Sequence, residues 1–145
     1  MSKLDEILQE WKNDSRIDSS EPGRELLNIP ILHGKYLNYL SSHKLRLKDV
    51  EIKLSKTKKL KWEYYTGKMS DETLKELNLK PFPYVLKSDL TLYLDSDDDI
   101  CKLKATKAVL EEIVDTCTLI IKELNSRTYQ LKAYIDYEKF IQGVG

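Results

Sequence analysis

Apolar residues recur along most of this chain at intervals of three and four, the spacing that places side chains on one face of an α-helix. The first such stretch is short and runs from Ser2 to about Asn13. A loop rich in Ser, Asp, Pro and Gly follows it, and a second helix is expected to start near Pro22. The pattern therefore predicts a short amphipathic helix at the N-terminus.

Two longer stretches carry the same spacing over several heptads. The first contains Pro30, which lacks a backbone donor and is expected to kink or restart the helix. We therefore draw this long helix from about Pro30 to Tyr65, with Gly67 as its stop. The second stretch follows the aspartates at 95–99 and ends at Gly143, as one helix or as two with a break near residues 125–126.

The connector between the two long helices contains two short helical stretches separated by the non-helical residues 80–84. With 145 residues the chain suits one domain, and the elements predict an all-α fold. Two long heptad helices joined by a connector suggest an elongated antiparallel helical hairpin with short N-terminal and connector helices.

Wide apolar faces on a thin hairpin are difficult to bury in a monomer, so we expect a homo-oligomer. The segment 100–145 supplies the predicted oligomerisation helices, and its apolar stripe carries the residues expected at the interface. These residues are Leu110, Ile113, Cys117, Ile120, Leu124, Leu131 and Ile135. Residues 1–99 of the same domain hold the remaining helices.

Acidic and basic residues balance over the whole chain, 24 of each, but they are segregated. Residues 44–61 carry eight bases and two acids, whereas residues 1–25 carry four bases and seven acids. The aspartates at 95, 97, 98 and 99 begin like a calcium loop, but Ile100 and Thr106 occupy the positions that need Gly and Glu. Acids at a helix N-terminus are the favoured interpretation, and an acidic patch offered to a basic partner stays open.

Several function classes are disfavoured by the sequence. The two histidines lie ten residues apart on one predicted helix, too far to share a metal, and there is no Gly-rich phosphate loop. We expect no enzyme activity, no cofactor and no metal. The charged start is unlike a signal peptide, and no apolar run approaches eighteen residues, so we expect a cytoplasmic protein with no membrane partner.

One segment combines bases with aromatic residues at the end of the first long helix, and we call residues 56–68 the basic-aromatic segment. Cations bind phosphates and aromatic faces stack on unpaired bases, so the combination suits single-stranded nucleic acid. A solvated basic face with Trp62 and Tyr65 packed in the core is the alternative. The candidate nucleic-acid-binding residues are Lys58, Lys59, Lys61, Tyr64, Tyr65 and Lys68.

The same segment resembles the UvsY recombination mediator family of T-even-like bacteriophages. The motif that carries the resemblance reads Lys-Leu-Lys-Trp-Glu-Tyr-Tyr-Thr-Gly over residues 59–67. Ile-Asp-Ser at 17–19, Lys-Tyr-Leu-Asn at 35–38 and Phe-x-x-Gly at 140–143 also fit the family. Two departures are Lys61, where the best-known member has Arg, and the longer connector at 68–83.

The resemblance implies a non-enzymatic protein that binds single-stranded DNA. It implies that the protein helps a RecA-type, UvsX-like recombinase to displace a single-strand-binding protein, in recombination and repair in the infected bacterial host. It also implies a ring-like homo-oligomer, a heptamer, that assembles through the C-terminal helices. Lys59 and Lys61 match the family's DNA-contacting basic pair. A structural helical adaptor that assembles through its heptad faces without contacting DNA remains the rival hypothesis.

Overall fold

The computed structural model describes residues 1–83 and 85–143, and these residues form helices, turns and loops without a strand. The helices are α1 (Lys3–Asp14), α2 (Pro22–Tyr65), α3 (Asp71–Glu76), α4 (Leu90–Asp95) and α5 (Asp98–Ile141), with a 3₁₀ turn over Lys87–Asp89. The predicted all-α fold is confirmed. Tyr84, in the predicted non-helical stretch, and residues 144–145, in the predicted oligomerisation segment, lie outside the described residues.

α1 has the predicted extent because its first turn is capped by local side chains. The Ser2 hydroxyl accepts a hydrogen bond from the N–H of Asp5 at 3.2 Å. The Asp5 carboxylate in turn accepts from the N–H of Ser2 at 3.4 Å. This capping box satisfies backbone donors that have no partner within the helix.

α2 begins at Pro22, where a helix start was expected, and it continues through Pro30, so the predicted start of the long helix at Pro30 is wrong. Pro22 suits a first turn because its ring fixes a helical φ and its missing N–H would have no partner there. Pro30 lies on the exposed side of the helix, where water can solvate the carbonyl that loses its donor. α5 likewise runs unbroken past Asn125, which settles the choice between one helix and two.

Gly67 ends α2, as predicted, with a left-handed backbone at φ 73°. Its N–H donates to the carbonyl of Tyr64 at 3.2 Å, and the N–H of Lys68 donates to the carbonyl of Glu63 at 2.8 Å. This is the Schellman arrangement, which glycine adopts without a steric penalty. The chain therefore turns away from the helix axis within the basic-aromatic segment.

The chain divides into two compact units, each with its own packing. The first comprises residues 1–45 and the described residues from 110 onward, and the second comprises residues 46–109. In the first unit, the fully buried Ile7 of α1 belongs to a cluster that also contains residues of α2 and α5. Buried Arg127 donates to the carbonyl oxygens of Asp14 at 3.3 Å and Ser15 at 3.1 Å, which satisfies the end of α1.

Most of the residues predicted for oligomerisation are packed inside the single chain. Ile135 is half-buried, and the others are buried: Leu110, Ile113, Cys117, Ile120, Leu124 and Leu131. Burial also raises the pKa of the Cys117 thiol. α1 covers part of this stripe through Ile7, a long-range contact that the heptad spacing did not reveal. The role of these residues in assembly stays a prediction.

The structure also shows how His43 packs and whether the described residues could hold a metal ion or cross a membrane. His43 is buried, and its Nδ1 lies 2.7 Å from the carbonyl oxygen of Tyr39, so it packs as expected of a core histidine. Residues 1–83 and 85–143 contain no group of potential ligands that could hold a metal ion. No helix in that part of the chain is long and apolar enough to cross a membrane.

Candidate nucleic-acid interface

The basic-aromatic segment occupies the last turns of α2 and the glycine turn that follows. Lys58, Lys59 and Lys68 are exposed. The Nζ of Lys68 lies 4.5 Å from the centroid of the Trp62 ring, a cation–π contact, and Trp62 is itself 38% exposed. Three of the predicted DNA-binding lysines and one aromatic ring are therefore open to solvent.

Lys61 differs from these lysines because its ammonium group is paired with two aspartates that flank the start of α5. Its Nζ lies 2.7 Å from Asp99 Oδ2 and 3.4 Å from Asp97 Oδ2. Burial alone would lower the pKa of Lys61, but the hydrogen bond to Asp99 and the charge of Asp97 outweigh it and raise the pKa. A phosphate that contacts this ammonium group would compete with the two carboxylates.

Tyr64 and Tyr65 belong to an aromatic cluster in the second unit. The ring of Tyr65 meets Phe82 edge-on at 4.9 Å and lies 5.8 Å from the ring of Tyr93. The Tyr64 ring lies 5.3 Å from Phe82, and its hydroxyl donates to the carbonyl oxygen of Lys80 at 3.0 Å. These contacts are those of packed residues, which favours the alternative in which Tyr65 is a core residue.

Asp97 is the residue that fixes this end of the second unit. Its Oδ2 accepts a hydrogen bond from the Tyr65 hydroxyl at 2.6 Å, and its Oδ1 accepts from the N–H groups of Asp99 and Ile100, both at 3.0 Å. Burial would raise the pKa of Asp97, but the Tyr65 hydroxyl, the Ile100 N–H and the charge of Lys61 outweigh it and lower the pKa. The pKa of Tyr65 is raised by its burial and by the same hydrogen bond.

The sequence revealed only part of this arrangement. An aspartate just before a helix is a local signal for a cap, and the favoured interpretation of the acidic cluster as a helix N-terminus agrees with the bonds of Asp97. The bond from Tyr65 joins residues 32 positions apart, and no spacing within either helix predicts it. The sequence therefore missed Asp97 as a partner of the basic-aromatic segment.

The fold and the site together define an all-α protein whose exposed cations and ring suit an unpaired, polyanionic strand. The family described as "Recombination, repair and ssDNA binding protein UvsY" matches residues 10–144. The chain belongs to this family, as the motif at 59–67 predicted. It is accordingly a recombination mediator of the single-stranded-DNA-binding class.

Individual relatives agree with the family assignment. The chain is 26% identical over 141 residues to the recombination protein uvsY of Enterobacteria phage T4, covering 97% of this chain and 98% of the relative. A crystal structure of the bacteriophage T4 recombination mediator protein UvsY in lattice type II matches with a TM-score of 0.85 at 24% identity, covering 98% of this chain and 99% of the other. The lattice type I structure matches with a TM-score of 0.81 at 25% identity, covering 93% and 98%.

We expect Asp97→Asn to destabilise the protein by about 1–3 kcal/mol, because a buried, charge-assisted acceptor loses its charge. The native pKa of Asp97 lies below its ordinary value, so its contribution is present above that ordinary value and is lost as pH falls through the native pKa. The variant should therefore lose less stability in acid than the parent protein. Chemical denaturation between pH 7 and pH 3 measures both effects.

Asp98→Asn is the matched control, since Asp98 is exposed in the first turn of the same helix. It should cost no more than the ~0.3–1 kcal/mol of an exposed charge near a helix N-terminus. Equal losses in the two variants would contradict the special role of Asp97.

Proposed function

We propose that this chain binds single-stranded DNA through the exposed lysines of the basic-aromatic segment and loads a RecA-type, UvsX-like recombinase onto strand covered by single-strand-binding protein. The observation that carries the proposal is the exposure of Lys58, Lys59 and Lys68 at the family motif. The setting would be phage recombination and repair inside the infected bacterial cell. The family match makes an adaptor without DNA contact the weaker hypothesis.

We assign direct phosphate contacts to Lys58, Lys59 and Lys68, because these ammonium groups are exposed and can contact a strand without being uncovered first. Lys61 is not assigned a direct contact, because a phosphate would compete there with the ion pairs to Asp97 and Asp99. A gain in affinity from such a contact would be offset by the lost pairs. Tyr64 and Tyr65 support the segment from within, since both hydroxyls are bonded and both rings are packed.

Mediation requires no chemical step by this chain. Weak binding by each copy becomes tight binding when several copies engage one strand, because the later contacts are intramolecular. A strand held in this way is withheld from the single-strand-binding protein and offered to the recombinase. The proposed assembly is a ring-like homo-oligomer, with a heptamer as the expected size and elongated hairpins as the expected subunits.

Late α5 offers the apolar surface that such an assembly needs. Tyr129, Tyr137 and Phe140 are 77%, 60% and 81% exposed, and Ile141 is also exposed. Because most of the stripe at 110–131 is already buried within the chain, we assign the intersubunit contact to these exposed side chains and to the half-buried Ile135. Large exposed apolar groups on one element are typical of an interaction surface.

Replacing Lys58 and Lys59 together with Ala should weaken single-stranded DNA binding and leave the melting temperature unchanged. Each lost phosphate contact should flatten the log–log dependence of affinity on salt by about 0.7. The loss should be similar for different base sequences, because phosphates carry no sequence information. Fluorescence anisotropy with labelled oligonucleotides over a series of salt concentrations measures the slope.

The charge-matched control replaces Lys12 and Lys122 with Ala, since both lysines are exposed and lie outside the segment. The control should keep the parent affinity and slope. An unchanged slope in the Lys58/Lys59 variant, or an equal decrease in the control, would remove the DNA-binding assignment from this segment.

Replacing Tyr137 and Phe140 with Ser should reduce the mass of the particle without unfolding the chain, because both side chains are exposed rather than packed. Truncation is less informative, since it would also remove the buried Arg127 or Leu131. Native mass spectrometry measures the change. Leu92→Ser is the control, since Leu92 is 67% exposed on α4. A variant with the parent mass would show that these side chains do not hold subunits together.

A further inference from the structure

Trp62 separates two depressions on the surface of the second unit. One has a volume of about 390 Å³ and is lined by Lys58, Lys59 and Lys104 as well as by Trp62. The other has a volume of about 570 Å³ and is lined by Trp62 and the aromatic residues Tyr65 and Phe82. We call the first the cationic pocket and the second the aromatic pocket. One indole ring thus borders both pockets.

The cationic pocket draws its positive charge from two helices. Lys58 and Lys59 come from the end of α2, and Lys104 comes from the second turn of α5. The Nζ of Lys104 lies 4.0 Å from Asp95 Oδ1, and the two side chains are 46% and 65% exposed, so this ion pair is weak. Three lysines and one aspartate line this depression, and this excess of positive charge favours an anion such as a backbone phosphate.

The aromatic pocket combines flat apolar walls with a basic rim. The rings of Trp62, Tyr65 and Phe82 are among its lining, while Lys68 and Lys87 contribute the positive charge. No acidic side chain is present among the described residues that line it. Lys68 already lies over the indole ring, which shows that a cation and the ring can share this site. Such a pocket suits a planar ring that is attached to a phosphate.

We propose that the two pockets hold consecutive parts of one single strand, with a backbone phosphate in the cationic pocket and an unstacked base against Trp62 in the aromatic pocket. The proposal rests on the proposed function and adds Trp62, Lys104 and Lys87 to its binding residues. A duplex cannot occupy the pair, because its bases are already stacked and paired. The ligand class is therefore a single-stranded nucleic acid with accessible bases.

The proposal is tested with Trp62→Leu and Lys104→Gln on two strands of equal length, one of thymidines and one of abasic sites. Trp62→Leu should weaken binding of the thymidine strand about 5- to 150-fold, the range for loss of one stacked base, with little effect on the abasic strand. Lys104→Gln should weaken both strands about fivefold at 0.1 M salt and flatten the salt slope by about 0.7.

Two matched variants control for structural damage. Trp62→Phe keeps an aromatic face and should recover most of the affinity that Trp62→Leu loses. Lys122→Gln removes a lysine of α5 that borders neither pocket, and it should leave both strands unaffected. Melting temperatures of all four variants should match that of the parent protein.

A direct readout uses Trp62 as a reporter in a Trp11→Phe background, since these are the two tryptophans of the chain. The thymidine strand should quench the fluorescence of Trp62, and the abasic strand should quench it much less. Quenching by an acidic peptide but not by the thymidine strand would assign the aromatic pocket to a protein partner and overturn the proposal.

The proposal and the function it rests on fail in different ways. Parent affinity in both Trp62→Leu and Lys104→Gln, with weakened binding in the Lys58/Lys59 variant, would overturn the paired pockets alone. Failure of the parent protein to bind the thymidine strand at low salt would overturn the proposed function as well.

Discussion

The carboxylate of Asp97 is the constraint on which the arrangement of the second unit depends. It accepts hydrogen bonds from the Tyr65 hydroxyl and from two backbone N–H groups of α5, and it is paired with Lys61. A carboxylate this deeply buried is tolerated only when its oxygens have partners. The end of α2 and the start of α5 are therefore held together by one carboxylate, because its hydrogen-bond and ion-pair partners come from both helices.

This constraint divides the basic-aromatic segment between two tasks. Lys61 and Tyr65 lie one helical turn apart and are held by Asp97, so they build the unit. Lys58 and Trp62 are also one turn apart, but they lie on the side that remains exposed. The same stretch of helix thus contributes buried contacts with Asp97 on one side and exposed side chains on another. If the exposed lysines bind a strand as proposed, these buried contacts give them a fixed platform and reduce the entropy lost on binding.

The sequence predicted the features that depend on neighbours along the chain. The extent of α1 and the stop at Gly67 follow from local spacing, caps and turn chemistry, whereas the sequence left open whether α5 is one helix or two. A helix start near Pro22 was expected, but the start of the long helix at Pro30 was wrong because the sequence alone does not show that Pro30 lies on an exposed face of the helix. The sequence placed Cys117 and Leu124 on one apolar stripe, but it did not reveal that Ile7 of α1, more than a hundred residues away, belongs to the same buried cluster. For the same reason, the bond between Tyr65 and Asp97 could not be read from either segment.

The central claim is that the segment separates a structural side from a binding side, and a parallel comparison of Tyr65→Phe with Lys59→Gln tests it most directly. Melting temperature and single-stranded DNA affinity are measured for both variants over a series of salt concentrations. Tyr65→Phe should lower the melting temperature while the folded protein keeps its affinity and salt slope. Lys59→Gln should keep the melting temperature while affinity falls and the salt slope flattens by about 0.7. A parent-like melting temperature in Tyr65→Phe, together with weakened DNA binding, would contradict the account.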